Sequence, residues 1–155
     1  MKNLRKSPKE LKDKGESLGV IKPRKVIDFI IEPVDKEWKN QWKTIFQQTD
    51  IFGTEAKELE KIPYKFSYKF LCGDENCLKE HKMMNHDWEV YENYRKMRQK
   101  YPEKDALAKV KNRFLNDLCG PEKEPYFILG TTKPFNQFIV LGVFWPKKDI
   151  RQRLF

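Results

Sequence analysis

The stretch Tyr64-Lys65-Phe66-Ser67-Tyr68-Lys69-Phe70-Leu71-Cys72-Gly73-Asp74-Glu75-Asn76-Cys77-Leu78-Lys79-Glu80-His81 changes character half-way along. Side chains alternate across an extended chain, so Tyr64, Phe66, Tyr68 and Phe70 share one face and Lys65, Ser67 and Lys69 the other. That is the pattern of a half-buried strand. The rings are expected in the core and the lysines toward solvent, in preference to an aromatic platform for unpaired bases. From Cys72 onward two thiols and an imidazole follow at the short spacing of a zinc-knuckle-like loop, with Gly73 and Asn76 supplying its bends.

The whole chain holds three cysteines and two histidines. Zinc in a structural site takes four protein donors in a tetrahedron, so Cys72, Cys77 and His81 need one more. Cys119 is the expected fourth ligand, because Gly120 and Pro121 end a helix there and fix its position. His86 is the alternative, but it precedes Asp87, which reads as the N-cap of the next helix. With four protein ligands no coordination position is left for an activated water, so this zinc is structural. The simpler explanation is a set of buried thiols in a reducing compartment, where a disulfide is disfavoured.

Working outward, the 155 residues suffice for one domain that buries about two thirds of its unfolded surface. Metal would reinforce such a core and not replace it. No run of about 18 apolar residues marks a membrane span. No apolar h-region marks a secretory signal, so the cytoplasm is the expected compartment. Residues 1–19, with Lys2, Arg5, Lys6, Lys9, Lys12 and Lys14 and few large apolar side chains, read as a flexible basic N-terminal tail. Residues 20–146 read as a single α+β domain with the zinc site, and 147–155 as a short basic C-terminal tail with Lys147, Lys148, Arg151 and Arg153.

Within the domain, Val26 to Glu32 is a β-rich run stopped by Pro33. Asp35 then caps a helix whose Trp38, Trp42, Ile45 and Phe46 form one stripe. After the loop, Asp87 opens a helix with Val90, Tyr94, Met97 and Tyr101 on one side, widened by Trp88 and Tyr91. A further helix past Pro102 carries Leu107, Val110, Phe114, Leu115 and Leu118. Tyr126–Gly130 and Phe138–Trp145 close the domain as a hairpin, the second strand apolar enough to be central and covered on both faces. The order β-α-β-loop-α-α-β-β predicts an α+β fold with a small mixed or antiparallel sheet and three main helices.

Lys and Arg number 32 against 23 Asp and Glu, a net charge of +9. Such an excess favours polyanions, since each phosphate neutralised releases counterions. The candidate phosphate contacts are Lys65 and Lys69 on the strand, Arg95, Lys96 and Arg98 on the first helix after the loop, and Lys109, Lys111 and Arg113 on the second. The expected function is a zinc-stabilised nucleic-acid-binding protein, DNA and RNA not distinguished. The alternative is a protein-interaction or accessory subunit of a larger complex. A divalent-metal-dependent nuclease comes third: Asp28, Glu32, Asp87 and Glu89 offer carboxylates, and Glu80-His81-Lys82 has an acid followed two residues later by a lysine. Helix capping already explains Asp87, and no Gly-rich phosphate loop or Ser/His/Asp set is present, so binding is expected and not catalysis.

The run Leu59 to Phe70, the Cys/Cys/His loop, Asp87-Trp88-Glu89 and Leu141-Gly142-Val143-Phe144-Trp145-Pro146 together resemble a family of uncharacterised prokaryotic proteins over roughly residues 22 to 146. The resemblance includes Cys72, Cys77, His81 and Cys119 but no histidine at His86, and it implies no activity. The loop here is one residue longer between Cys77 and His81. Members of that family carry more chain ahead of the domain, which implies a shortened N-terminus here.

Overall fold

The computed structural model describes residues 4–35, 61–132 and 137–148. It is an α+β structure with two sheets and the Cys72, Cys77 and His81 cluster in a loop, as the sequence pattern predicts. The chain divides into two compact units, Met1–Ile31 with Phe66–Phe155, and Glu32–Lys65, and the domain expected over 20–146 spans both. The helix expected from Asp35 through Trp38, Trp42, Ile45 and Phe46 lies outside the described residues. In the second unit the Val34 N–H donates to the Pro63 carbonyl at 2.9 Å.

The N-terminus corrects the sequence reading. The expected flexible tail is folded into β1 (Leu4–Arg5), α1 (Pro8–Asp13) and the start of β2 (Leu18–Ile21). Its cause is local chemistry that composition hides. Ser7 caps α1 by accepting from the Glu10 N–H, Pro8 occupies the first turn, and Glu10 reaches back to the Lys6 N–H at 2.8 Å. Gly15 follows at φ +66°, a left-handed turn that glycine adopts without cost. One apolar side chain then anchors the helix. Leu11 is fully buried, and it lies so close over Gly19 that a Cβ there would meet Leu11 Cδ2 at 2.3 Å.

Sheet order is β1-β2-β6-β7 in one sheet and β3-β4-β5 in the other, with β3 Lys25–Pro33, β4 Tyr64–Leu71, β5 His81–Met84, β6 Tyr126–Thr132 and β7 Gln137–Phe144. β1 pairs with β2 in parallel, while β2–β6, β6–β7 and β4–β5 are antiparallel. β3 and β4 are antiparallel too, because Arg24 bonds Leu71 at one end and Val34 bonds Pro63 at the other. Only three residues separate β2 from β3, so the two act as one bent strand that passes from sheet to sheet. The seam opposite is closed by a parallel bridge from Asn85, just past β5, to Val140 on β7.

This connectivity is a Greek key: three consecutive antiparallel strands, then a fourth, β6, that returns by a long connection to lie beside the first. With β7 bridging back to the β5 end, the five strands make a partly open barrel of the OB type. The long connection is helical. α2 (Trp88–Lys100) and α3 (Glu103–Lys111) are followed by a π-helical turn, Asn112–Asp117, in which the Leu118 N–H reaches the Arg113 carbonyl five residues back at 3.1 Å.

The rings of β4 face inward as expected. Phe66, Tyr68 and Phe70 are fully buried, and they meet Phe29 from β3, Phe127 from β6 and, through Phe29, Phe114 from the π-helical turn. Burial of these rings, at about 25 cal/mol per Å², is the main stabilising term of the unit. Val90, Tyr94, Val110 and Leu118 carry the buried side of the helices. Trp88, expected to widen that side, is instead 63% exposed, with the Arg95 guanidinium 5.6 Å from its ring centre.

β7 brings a second correction. It ends its sheet instead of lying at the centre, and one face stays open, with Leu141 and Phe144 exposed beside Ile128 and Leu18. A bulge between Ile128 and Leu129 inserts Leu141, which lies over Gly130 where a Cβ would meet Leu141 Cδ1 at 2.5 Å. The start of the expected basic C-terminal tail is tied down: Lys147 bridges Lys123, and the Lys148 N–H donates to the Glu122 carbonyl at 2.9 Å. Residues 149–155 lie outside the described residues. Among the described residues no helix is long and apolar enough to cross a membrane.

Candidate metal centre

The loop that joins β4 to β5 is held from below and from within. The Gly73 N–H donates to the Lys6 carbonyl at 2.8 Å, and a Cβ at Gly73 would sit 3.1 Å from both the Lys6 and Lys22 carbonyl oxygens. Glycine is therefore required by close approach of two backbone segments. Asp74 then makes the turn: its Oδ1 accepts from the Asn76 N–H at 3.0 Å and its carbonyl from the Cys77 N–H at 3.0 Å. The Arg24 guanidinium reaches the Cys77 carbonyl at 3.4 Å. His81 begins β5 directly opposite Phe70, and the two rings stack with centres 5.4 Å apart.

These constraints bring Cys72 Sγ, Cys77 Sγ and a His81 ring nitrogen within 4.8 Å of one another. Cys77 Sγ lies 3.5 Å from His81 Nε2. With zinc–sulfur and zinc–nitrogen bonds of about 2.3 and 2.0 Å, the S-to-N edge of a tetrahedron is about 3.5 Å, so the donors already stand at coordination spacing. Cys72 is buried, whereas Cys77 and His81 are partly exposed. Burial raises the Cys72 thiol, opposed by the Asp74 backbone N–H and reinforced by the neighbouring Cys77. Burial, with Lys79 nearby, lowers His81 and so favours the neutral imidazole that a metal requires.

Cys119 does not join this group. It stands past the π-helical turn with Sγ 3.5 Å from the Phe114 carbonyl, and that same carbonyl accepts from the Tyr68 hydroxyl at 2.8 Å. Tyr68 precedes Cys72 by four residues on the same strand face, about 13 Å along the strand, so the expected fourth ligand serves the core at the other end of β4. Burial pushes its thiol up to about 12. His86 is apart as well. Its N–H donates to Val140 beyond the far end of β5, and its exposed ring tilts against Tyr91. Among the described residues, three donors form the group.

Comparison with known proteins adds one positive result. A family model described as a domain of unknown function (DUF8757) matches residues 1–155. The chain belongs to the DUF8757 family. No curated protein and no solved structure matches it. The DUF8757 match spans the folded N-terminal segment and the metal loop alike, so both lie within the family's domain.

The basic candidates are dispersed over this DUF8757 domain. Lys69 lies on the outer face of β4 and pairs with Glu80 at 2.8 Å. Arg95 pairs with Glu92, Lys96 is exposed, and the Arg98 guanidinium lies 5.6 Å from the Tyr94 ring centre. Lys109 stacks over Tyr101 at 4.4 Å, Lys111 pairs with Asp28 at 3.1 Å, and Arg113 sits 3.9 Å from Asp117. Lys65 belongs to the second unit and is partly buried. The residue that sequence reasoning missed is Lys82. It stands directly across from Lys69 in the β4–β5 register, on a four-residue strand whose short length gave no periodic signal. The carboxylates of the nuclease reading have other employment: Asp28 pairs with Lys111, and Asp87 caps α2 by accepting from the Glu89 N–H at 3.0 Å.

Proposed function

We propose that the protein is a zinc-stabilised nucleic-acid-binding protein, with zinc held by Cys72, Cys77 and His81 and phosphates met by Lys and Arg side chains. The observation that carries the reading is the Lys69–Lys82 cross-strand pair on the outer face of β4–β5 in a Greek-key barrel. Barrels of this class take oligonucleotides on the face of their second and third strands, which here are β4 and β5. Architecture and charge support the reading together, the net charge being +9. Zinc fits two thiolates and an imidazole better than a hard cation does. Three free thiols suit the cytoplasm as the place of action.

Fluorescence anisotropy with labelled single-stranded DNA and RNA at two salt concentrations tests the reading. Binding should weaken with salt, and Lys69→Glu combined with Lys82→Glu should lower the logarithmic salt slope by about 0.7 for each phosphate left without its lysine. Absence of binding at low salt, or a double variant that binds like the parent, would remove it.

A second reading has one specific support. The outer face of β2, β6 and β7 exposes Leu18, Ile128, Leu141 and Phe144, an apolar surface suited to a protein partner in a larger complex. Copurification of a stoichiometric partner that Leu141→Asp releases would favour it.

A further inference from the structure

We infer that a metal at Cys72, Cys77 and His81 keeps its fourth coordination position for an exchangeable anionic ligand from solution. This rests on the metal reading above and takes it one step further. Thiolate and imidazole donors are exhausted by the whole chain: besides the three in the group there are only Cys119 and His86. Cys119 is engaged with the Phe114 carbonyl at the other end of β4, and His86 lies beyond the far end of β5. Among the described residues no Asp or Glu oxygen joins the three donors.

The unfilled vertex has a direction. Cys72 is fully buried while Cys77 and His81 are partly exposed, so the coordination sphere is closed on the protein side and open on the solvent side. It also has a charge. A divalent ion with two thiolates and a neutral imidazole is neutral overall, and Arg24, bonded to the Cys77 carbonyl, and Lys79, midway between Cys77 and His81 in the loop, leave the mouth positive. A monodentate anion is the ligand that such a vertex takes in place of water. Three protein ligands and one exchangeable position are the arrangement that distinguishes a reactive zinc site from a closed one.

Cobalt(II) substituted into the full-length protein under reducing conditions reports this directly, because its d–d bands follow the number and kind of its ligands. The protein should take up stoichiometric cobalt, sodium azide should shift the bands along a saturable curve, and Cys119→Ala and His86→Ala should leave the spectrum unchanged. Stoichiometric cobalt whose bands ignore azide, or change when either of those residues is removed, overturns the inference and leaves the metal reading intact. Failure to take up cobalt or zinc at all overturns the metal reading, and this inference with it.

Discussion

At the scale of the single residue, Cys119 is the most instructive position. Its place at a helix end suggests a zinc ligand, but the fold puts it beside Tyr68 and the Phe114 carbonyl. Its thiol is pushed up to about 12 by burial, against an ordinary value of 9.0. A raised value of this kind contributes stability that is fully present below about pH 9, where folded and unfolded chains both keep the proton. The contribution is lost as the pH rises toward 12, where the unfolded chain releases a proton that the folded chain retains. The stability difference between the parent protein and Cys119→Ala, measured by denaturant unfolding under reducing conditions, should therefore narrow between about pH 8 and about pH 10.5. A difference that stays constant over that interval would show that the thiol titrates normally. Cys72, Cys77 and His81 are legible because they are close in sequence and bounded by a strand. Cys119 is not, because only tertiary packing decides what it meets, and spacing does not encode that.

At the scale of the element, periodicity carries the reading wherever an element is long. β4, α2, β6 and β7 all stand where alternation or helical spacing puts them, and the inward set Phe66, Tyr68 and Phe70 is the one expected. What escapes are elements too short for a period to show. β5 has four residues and α1 six, and both depend on partners distant in sequence. For α1 the signal is present in Ser7-Pro8-Lys9-Glu10, a cap residue, a first-turn proline and an acid three positions on. The start of α2 offers a quantitative test. Asp87 is buried, caps the helix through Glu89 and receives no other role in the site. Asp87→Ala should cost about 1 kcal/mol, seen as a lower denaturant midpoint at unchanged slope, with nucleic-acid affinity preserved. A loss of several kcal/mol would mean that this carboxylate holds more than a cap, and a selective loss of affinity would reopen the case for a catalytic cation.

At the scale of the whole molecule, the fold class is readable from the order of elements, but the closure of the barrel is not. It depends on the Asn85–Val140 bridge and on the bend between β2 and β3, contacts between segments far apart in the chain. The ring cluster of Phe29, Phe66, Tyr68, Phe70 and Phe127 is complete without the metal loop, so chelation should not unfold the protein. Structural zinc contributes on the order of 10 kcal/mol in small model sites that have no other core. Here its removal should lower the thermal midpoint reversibly while the far-ultraviolet circular dichroism of the sheets persists at about 25 °C. An apoprotein that is unfolded at that temperature would show that the loop, and not the barrel, is the keystone.

The π-helical turn from Asn112 to Asp117 has a consequence for descent as well as for packing. Such a turn is in effect a one-residue insertion carried inside a helix. Deleting a single residue there lets the helix return to ordinary register and rotates all that follows by about 100°. Leu118 would swing out of the core, and the thiol of Cys119 would part from Tyr68. Relatives that differ in length by one residue at this point therefore mark a fork in the lineage, on one side of which this corner of the barrel must have been rebuilt.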